Sequence, residues 1–446
     1  DVDTASYSIV RRFLNDGQLP PQEAVRIEEM LNYFSYDYPP PPPGADAPIA
    51  ASVEVSECPW ARGHELVRIG LQAKRVSRAD MPARNLVFLL DVSGSMMPAN
   101  RLPMVVRGMR MLVDQLTAKD TVAIVTYAGA GGVALPPTRG DATGTIVAAL
   151  SKLEAGGSTN GLAREHFVPG AINRVILSTD GDFNVGVTSQ AALVSLIEEE
   201  RKTGVYLSVL GVGEGNLHDA TMEMLADKGN GNYAYLDRLS EARKVLVEQA
   251  GGTLVTVADD VKIQAHFDPA QVRSYRLVGY ENRVMKNEDF NDDTKDAGDM
   301  GAGHSVTALY EIDPVAAPSA SLHAAAPVAA KSSPAPKAAG PLLTLQVRYK
   351  DPGKSESKLL TFEAGAPHPL DRASTDFRFA AAVAELGLIL RDSSFKGEAT
   401  LPDVDALAAG ALAEGHDPGG YRAELVRMVN QAELLQGDRK PVGVAR

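Results

Sequence analysis

Apolar positions along the 446 residues change their period several times. Residues 4–15 carry a helical pattern, with Asp3 or Thr4 as N-cap and Gly17 as stop. From Pro21 to Phe34, the residues Ile27, Met30, Leu31 and Phe34 fall at i, i+3, i+4, i+7 and predict a second helix. Tyr38 and the run Pro39–Pro43 then predict an extended spacer that sets a small helical piece apart from the rest. Residues 50–56 and 65–73 predict strands, with Val67, Ile69, Leu71 and Ala73 alternating against Leu66, Arg68, Gly70 and Gln72.

From about Arg84 the pattern becomes a strand–helix alternation. Leu86–Leu90 is a continuous apolar run, as in a strand buried on both faces. The region 101–116 carries one helical stripe through Val105, Met109, Leu112 and Leu116. Strands follow at 122–127, 133–135, 174–178, 206–210 and 233–236, and helices at 145–153, 189–203, 218–228 and 240–250. Such repeated βα units predict an open, doubly wound, mostly parallel sheet. Beyond Gly252 strands return at 254–258, 261–267, 274–278, 305–312 and 342–349, and the chain ends in helices at 375–391, 402–413 and 418–436.

These changes divide the chain into a helical segment (1–38), a Pro-rich linker (39–49), a β segment (50–83), an α/β domain (84–252), a second β domain (253–373) and a helical C-terminal region (374–446). Residues 316–340 are dominated by Ala, Pro and Ser and read as an insert outside any core. The expected fold is α/β: a doubly wound, mostly parallel sheet inserted in or flanked by a β-sandwich, with helical N- and C-terminal segments.

Composition narrows the function. With 57 acidic and 44 basic residues the net charge is −13, a field that repels nucleic acid and an anionic membrane surface. No stretch approaches the roughly 18–20 apolar residues of a membrane span. The single cysteine, Cys58, allows no intrachain disulfide. The chain opens on Asp1 rather than Met, and the expectation is that any targeting segment or lipid anchor is out of view.

Most carboxylates read as a solvated surface, but three loops suggest a cation. Strand 86–90 runs into Asp91-Val92-Ser93-Gly94-Ser95, whose acid and two hydroxyls at alternate positions can converge. Gly156-Gly157-Ser158-Thr159-Asn160 adds a hydroxyl, and Ser178-Thr179-Asp180-Gly181 adds a second carboxylate at a strand end. Ligands of open α/β sheets bind at the carboxyl ends of strands, and such hard oxygen donors suit Mg²⁺, Mn²⁺ or Ca²⁺ rather than Zn²⁺.

D-x-S-x-S at a strand end, a later Gly-Gly-Ser-Thr and a Thr-Asp-Gly strand end together resemble the metal-ion-dependent adhesion site (MIDAS) of von Willebrand factor A domains. The resemblance implies that Ser93, Ser95 and Thr159 touch the ion through hydroxyls, with Asp91 and Asp180 binding it directly or through water. Asp182 and Asn160 are candidates to support these ligands from behind. An open position on the ion would take a carboxylate from a protein partner. The opening segment, the TDGDFNVG loop, GYENR and GAGHSVTALYE resemble one bacterial subgroup of such proteins, with a conserved N-terminal helical segment and a C-terminal domain of unknown function. That subgroup implies an exported, extracytoplasmic protein, often a lipoprotein. In this family a full helix follows the metal-site Thr, but Asn160–Phe167 is shorter than the dozen or so residues of a parallel crossover. The expectation is a segment missing from the chain near 160–162, with a truncated helix as the other reading.

The reading is therefore a divalent-cation-dependent protein-binding module and not an enzyme. Its alternatives are a scaffold with a purely structural ion, or a metal-dependent hydrolase, for which no His or Glu flanks the three loops. Other constellations fail on their residues. Ser93 stands where an aspartyl-phosphate enzyme needs its second acid. Arg68 interrupts the zinc-helix pattern begun at His64-Glu65. The calcium-loop mimic Asp289, Asn291, Asp293 has Thr294 in place of the required Gly, and reads as a solvated acidic loop.

Overall fold

The computed structural model describes residues 3–77, 79–127, 132–155, 171–181, 190–214, 218–249, 255–280, 285–295, 297–315 and 340–437. The N-terminal helices are α1 (Ala5–Asn15) and α2 (Ile27–Asn32). Strands β1 (Ile49–Glu57) and β2 (Glu65–Ala73) follow. The α/β unit then runs β3 (Arg84–Asp91), α3 (Leu102–Val113), β4 (Thr121–Tyr127), β5 (Gly132–Arg139), α4 (Thr143–Ser151), β6 (Ile172–Thr179), α5 (Gln190–Lys202), β7 (Val205–Val212), α6 (Asp219–Lys228), β8 (Tyr233–Leu236) and α7 (Leu239–Arg243), which continues into a π-helical turn, Lys244–Glu248. The second β region holds β9 (Thr256–Phe267), β10 (Val272–Val278), β11 (Gly298–Gly301), β12 (Ser305–Pro314), β13 (Leu343–Lys350) and β14 (Ser357–Glu363). Helices α8 (Thr375–Leu390), α9 (Leu401–Glu414) and α10 (Tyr421–Gly437) close the described chain.

The central sheet has the order β5-β4-β3-β6-β7-β8, parallel throughout except that β5 runs antiparallel to β4. Leu86, Phe88 and Leu90 pack with Met109 and Leu112 of α3 on one face, while Val87 and Val125 form a smaller core on the other. Chain order reverses between β3 and β6, the first and fourth strands of this unit. Their carboxyl ends therefore diverge to opposite sides and open a crevice, the usual ligand position in doubly wound sheets.

The flanking β segments form two four-stranded sheets, β1-β2-β12-β10 and β11-β9-β13-β14. β2 lies between its hairpin partner β1 and β12, with Leu71 opposite Val306 and Val67 opposite Tyr310. The α/β unit is thus inserted between strands of one sheet. Ile69 and Leu71 from one sheet and Leu345 and Val347 from the other share a core, as expected of a sandwich.

Three local expectations are corrected. The helix of 21–34 is a 3₁₀ turn at Gln22–Ala24 and a separate α2, because Val25 and Arg26 are extended. Strands 254–258 and 261–267 are one strand, β9, with Asp260 at φ 53 marking the irregularity. The proline run does not set the N-terminal helices apart. α1 is buried on two faces: Ala5 and Ile9 pack on Tyr233 and Tyr235 of β8, while Tyr7, Val10 and Leu14 join Phe377 and Leu425 of the C-terminal helices. Tyr38 lies on β2, its ring so close to Gly70 that a Cβ there would sit 2.4 Å from Cζ. Here glycine is required by close approach.

Candidate metal centre

Asp91 is the last residue of β3 and is fully buried, level with Tyr127 of β4 across the ladder. Beyond it the chain turns into a short 3₁₀ segment, Gly94–Met96, which brings the two serines to one side. The Ser93 N–H donates to Asp91 Oδ1 at 2.9 Å, and the Ser93 and Ser95 hydroxyls lie 2.8 Å apart. From β6, Thr179 Oγ1 donates to Asp91 Oδ2 at 3.2 Å and accepts from the Gly181 N–H at 3.1 Å. Asp180, also buried, follows directly. Burial pushes the Asp91 carboxyl above its ordinary range; bonding to Ser93 and Thr179 works against this, and the Asp180 charge adds to the rise.

Four of the expected ligands, Asp91, Ser93, Ser95 and Asp180, therefore gather at the carboxyl ends of β3 and β6. Thr159, Asn160 and Asp182 lie outside the described residues, as does the short crossover near 160–162. The donors present fit a hard divalent cation: two carboxylates close enough that the charge of Asp180 is felt at Asp91, with a pair of hydroxyls beside them. The Tyr127 hydroxyl, buried next to Asp91 and Thr179, makes no hydrogen bond of good geometry among the described residues. It is one more oxygen facing this crevice that sequence spacing did not single out.

Sequence reading also missed Arg101, a lone arginine at the N-terminus of α3. Its Nη1 donates to Asp180 Oδ2 at 2.5 Å and to the Ser95 carbonyl at 2.8 Å. No spacing rule announces it, because its acidic partner lies 79 residues away.

Elsewhere, carboxylates that could hold a cation already meet basic side chains. Asp3, Glu29 and Glu223 bring one oxygen each within 4.8 Å of one another and could coordinate a divalent ion. Arg26 stands among them, paired with Glu29, with Asp219 at 2.5 Å and with Glu223 at 3.7 Å. The acidic loop at 289–293 is engaged by basic groups rather than merely solvated. Lys262 Nζ donates to the Asp292 carbonyl at 2.7 Å, Lys350 Nζ to the Asp293 carbonyl at 2.8 Å, and Arg348 pairs with Asp293 at 3.2 Å.

Comparison with known proteins agrees with this architecture. Residues 86–182 match the von Willebrand factor type A domain family, residues 1–68 the family described as von Willebrand factor, and residues 252–435 the C-terminal family of the uncharacterized protein YfbK. The uncharacterized protein YfbK of Escherichia coli is 42% identical over 451 residues, covering 97% of this chain and 77% of that protein. Human inter-alpha-trypsin inhibitor heavy chain H2 is 26% identical over 177 residues, 35% of this chain and 18% of that protein. The solved structure of a von Willebrand factor type A protein from Catenulispora acidiphila is similar with a TM-score of 0.43 and 17% identity, over 85% of this chain and 96% of that one. Domains of these types are in general non-catalytic adhesion or scaffold modules. It belongs to the family of YfbK, multidomain bacterial proteins in which a von Willebrand factor A-type domain is flanked by other domains.

Proposed function

We propose that the chain is a divalent-cation-dependent protein-binding module of an exported bacterial protein. The ion, Mg²⁺ or else Mn²⁺ or Ca²⁺, would be held by Asp91, Ser93, Ser95 and Asp180, and by the resemblance also by Thr159, with Asp182 and Asn160 as candidate supporting residues. When bound it supplies a Lewis-acidic position that accepts a carboxylate from a protein partner. The chain's own residues orient that position. Thr179 and the Ser93 N–H fix the Asp91 carboxylate, and the 3₁₀ turn sets the two serine hydroxyls side by side. The observation that carries the reading is the convergence of a fully buried carboxylate, a second carboxylate and paired hydroxyls on the crevice where the sheet reverses its order. The resemblance of the opening segment, the TDGDFNVG loop, GYENR and GAGHSVTALYE to a bacterial subgroup whose members are usually exported supports an extracytoplasmic location.

The test is Mg²⁺ calorimetry on the full chain, with capture of partners from a native envelope fraction in Mg²⁺ and in chelator. Asp91→Ala is expected to abolish both Mg²⁺ binding and Mg²⁺-dependent capture, and to leave the circular dichroism unchanged. Capture that persists in chelator refutes the proposal. Chelation that lowers the melting temperature without releasing the partner instead favours a structural ion.

A further inference from the structure

The Arg101 guanidinium is seated rather than draped. Its side chain is about one-fifth exposed, and that of Asp180 less than one-twentieth. Besides Asp180 and the Ser95 carbonyl, it reaches the Glu214 carbonyl with Nη2 at 3.4 Å. The end of β7 is shaped to receive it. Gly213 sits at φ +88, and a Cβ there would lie 2.5 Å from Arg101 Nε. The Gly213 carbonyl is in turn held by the Tyr235 hydroxyl at 2.5 Å and by Arg12 of α1 at 3.4 Å. One guanidinium therefore ties together the strand-end loops of β3, β6 and β7, on a seat braced by the N-terminal helix.

We propose that Arg101 is a resident cation of this site, which withholds Asp180 from the divalent ion and thereby sets the site's cation affinity. The inference rests on the cation site proposed above. With Arg101 in place, Asp91, Asp180 and the guanidinium carry one net negative charge; without it they carry two. A unit positive charge within a few ångströms opposes a divalent ion strongly, even at the high effective dielectric of a half-open crevice. An ion that enters beside Arg101 has less protein charge to neutralise it, and so keeps more of its own charge for an outside carboxylate. Arg101 is thus a positioning and tuning residue, and it differs in outcome from an ordinary structural ion pair. Loss of a structural pair leaves the ion's affinity unchanged or weaker, whereas loss of a competing cation strengthens it.

The experiment is calorimetric titration of the full chain with Mg²⁺ alone, and in parallel with Mn²⁺ alone. The proteins compared are wild type, Arg101→Gln, Arg101→Lys and Gly213→Ala, each first checked for folding by circular dichroism in chelator. Arg101→Gln is expected to bind Mg²⁺ at least about tenfold more tightly, equivalent to about 1.4 kcal/mol. Arg101→Lys keeps the charge and is expected to stay within about threefold of wild type. Gly213→Ala crowds the arginine off its seat without changing any charge, and is expected to shift affinity in the same direction as Arg101→Gln. Equal or weaker Mg²⁺ binding by Arg101→Gln overturns the role of Arg101 and leaves the cation site standing. Absence of millimolar binding by every one of these folded proteins overturns both.

Discussion

Arg11 is the test of how the N-terminal helix is held to the rest of the molecule. Its guanidinium is buried, and every edge of it is occupied. Nε and Nη2 take the Asp237 carboxylate at 2.8 and 2.5 Å, Nη2 takes Glu241 at 2.8 Å, and Nη1 takes Glu424 at 2.7 Å and the Tyr33 hydroxyl at 2.9 Å. One side chain of α1 thereby joins the end of β8, α7 and α10. Replacing it with Met fills part of the volume but leaves three buried carboxylates with Arg238 and Lys244 as the basic groups beside them among the described residues. Removing one partner of a buried ion pair costs about 3–5 kcal/mol, and Arg11→Met should cost at least the middle of that range, about 4 kcal/mol. The assay is urea denaturation at pH 7, followed by circular dichroism and by the fluorescence of the single tryptophan, Trp60, which lies in the same helical core as Tyr33. Acid should narrow the gap between the two proteins. Burial pushes Glu241 up, but Lys244 and Arg11 outweigh it and hold the carboxyl below its ordinary range. Its stabilising contribution is therefore present above the unfolded-state value and is lost as pH falls through the folded one. A loss below about 1 kcal/mol at pH 7 would refute the assignment of this cluster as the clamp.

Two further predictions concern the same helical layer. Glu385 of α8 is buried with Oε2 unpartnered among the described residues, and burial, aided by Asp403, raises its carboxyl from 4.5 to about 7. Its contribution is present below the unfolded value and is lost as pH rises through about 7. Glu385→Met should therefore gain up to about 3 kcal/mol over wild type at pH 8 and little at pH 4.5, measured by denaturation at both pH values; a pH-independent difference contradicts this. Gly70→Ala should drive the Tyr38 ring off β2 and break the contact of its hydroxyl with Thr307, 2.8 Å away. A loss of about 1–3 kcal/mol is expected, as for other overpacked sites, and an unchanged denaturation midpoint would show that the ring relaxes freely.

Much of the fold was legible because burial imposes period. The strands of the central sheet are covered on both faces, so their apolar runs stand out; Leu86–Leu90 marks β3 within a residue or two at each end. β14 was missed because it is an edge strand with no fully buried position, and its sequence SKLLTFE carries no alternation to read. β11 was missed because Gly298–Gly301 has only Met300 to bury. The split of α2 depends on the extended backbone of Arg26, whose side chain is drawn to Asp219 of α6. That pull spans 193 residues and leaves no mark on local spacing.

By itself the sequence determined the strand–helix alternation, the acidic charge and the D-x-S-x-S and Thr-Asp-Gly strand ends, because these are properties of residues within a turn or two of each other. Only tertiary structure decided which strand ends face one another. The reversal between β3 and β6 brings Asp180 beside Asp91, and the end of β7 delivers Arg101 onto Asp180. It also decided that the N-terminal helix is a buried wedge rather than a tethered piece, through Arg11 and its carboxylates on three other elements. The physical reason is range. Periodicity reports contacts between neighbours in sequence, whereas a buried charge is satisfied by whichever partner the fold places within hydrogen-bond distance, however far along the chain that partner lies.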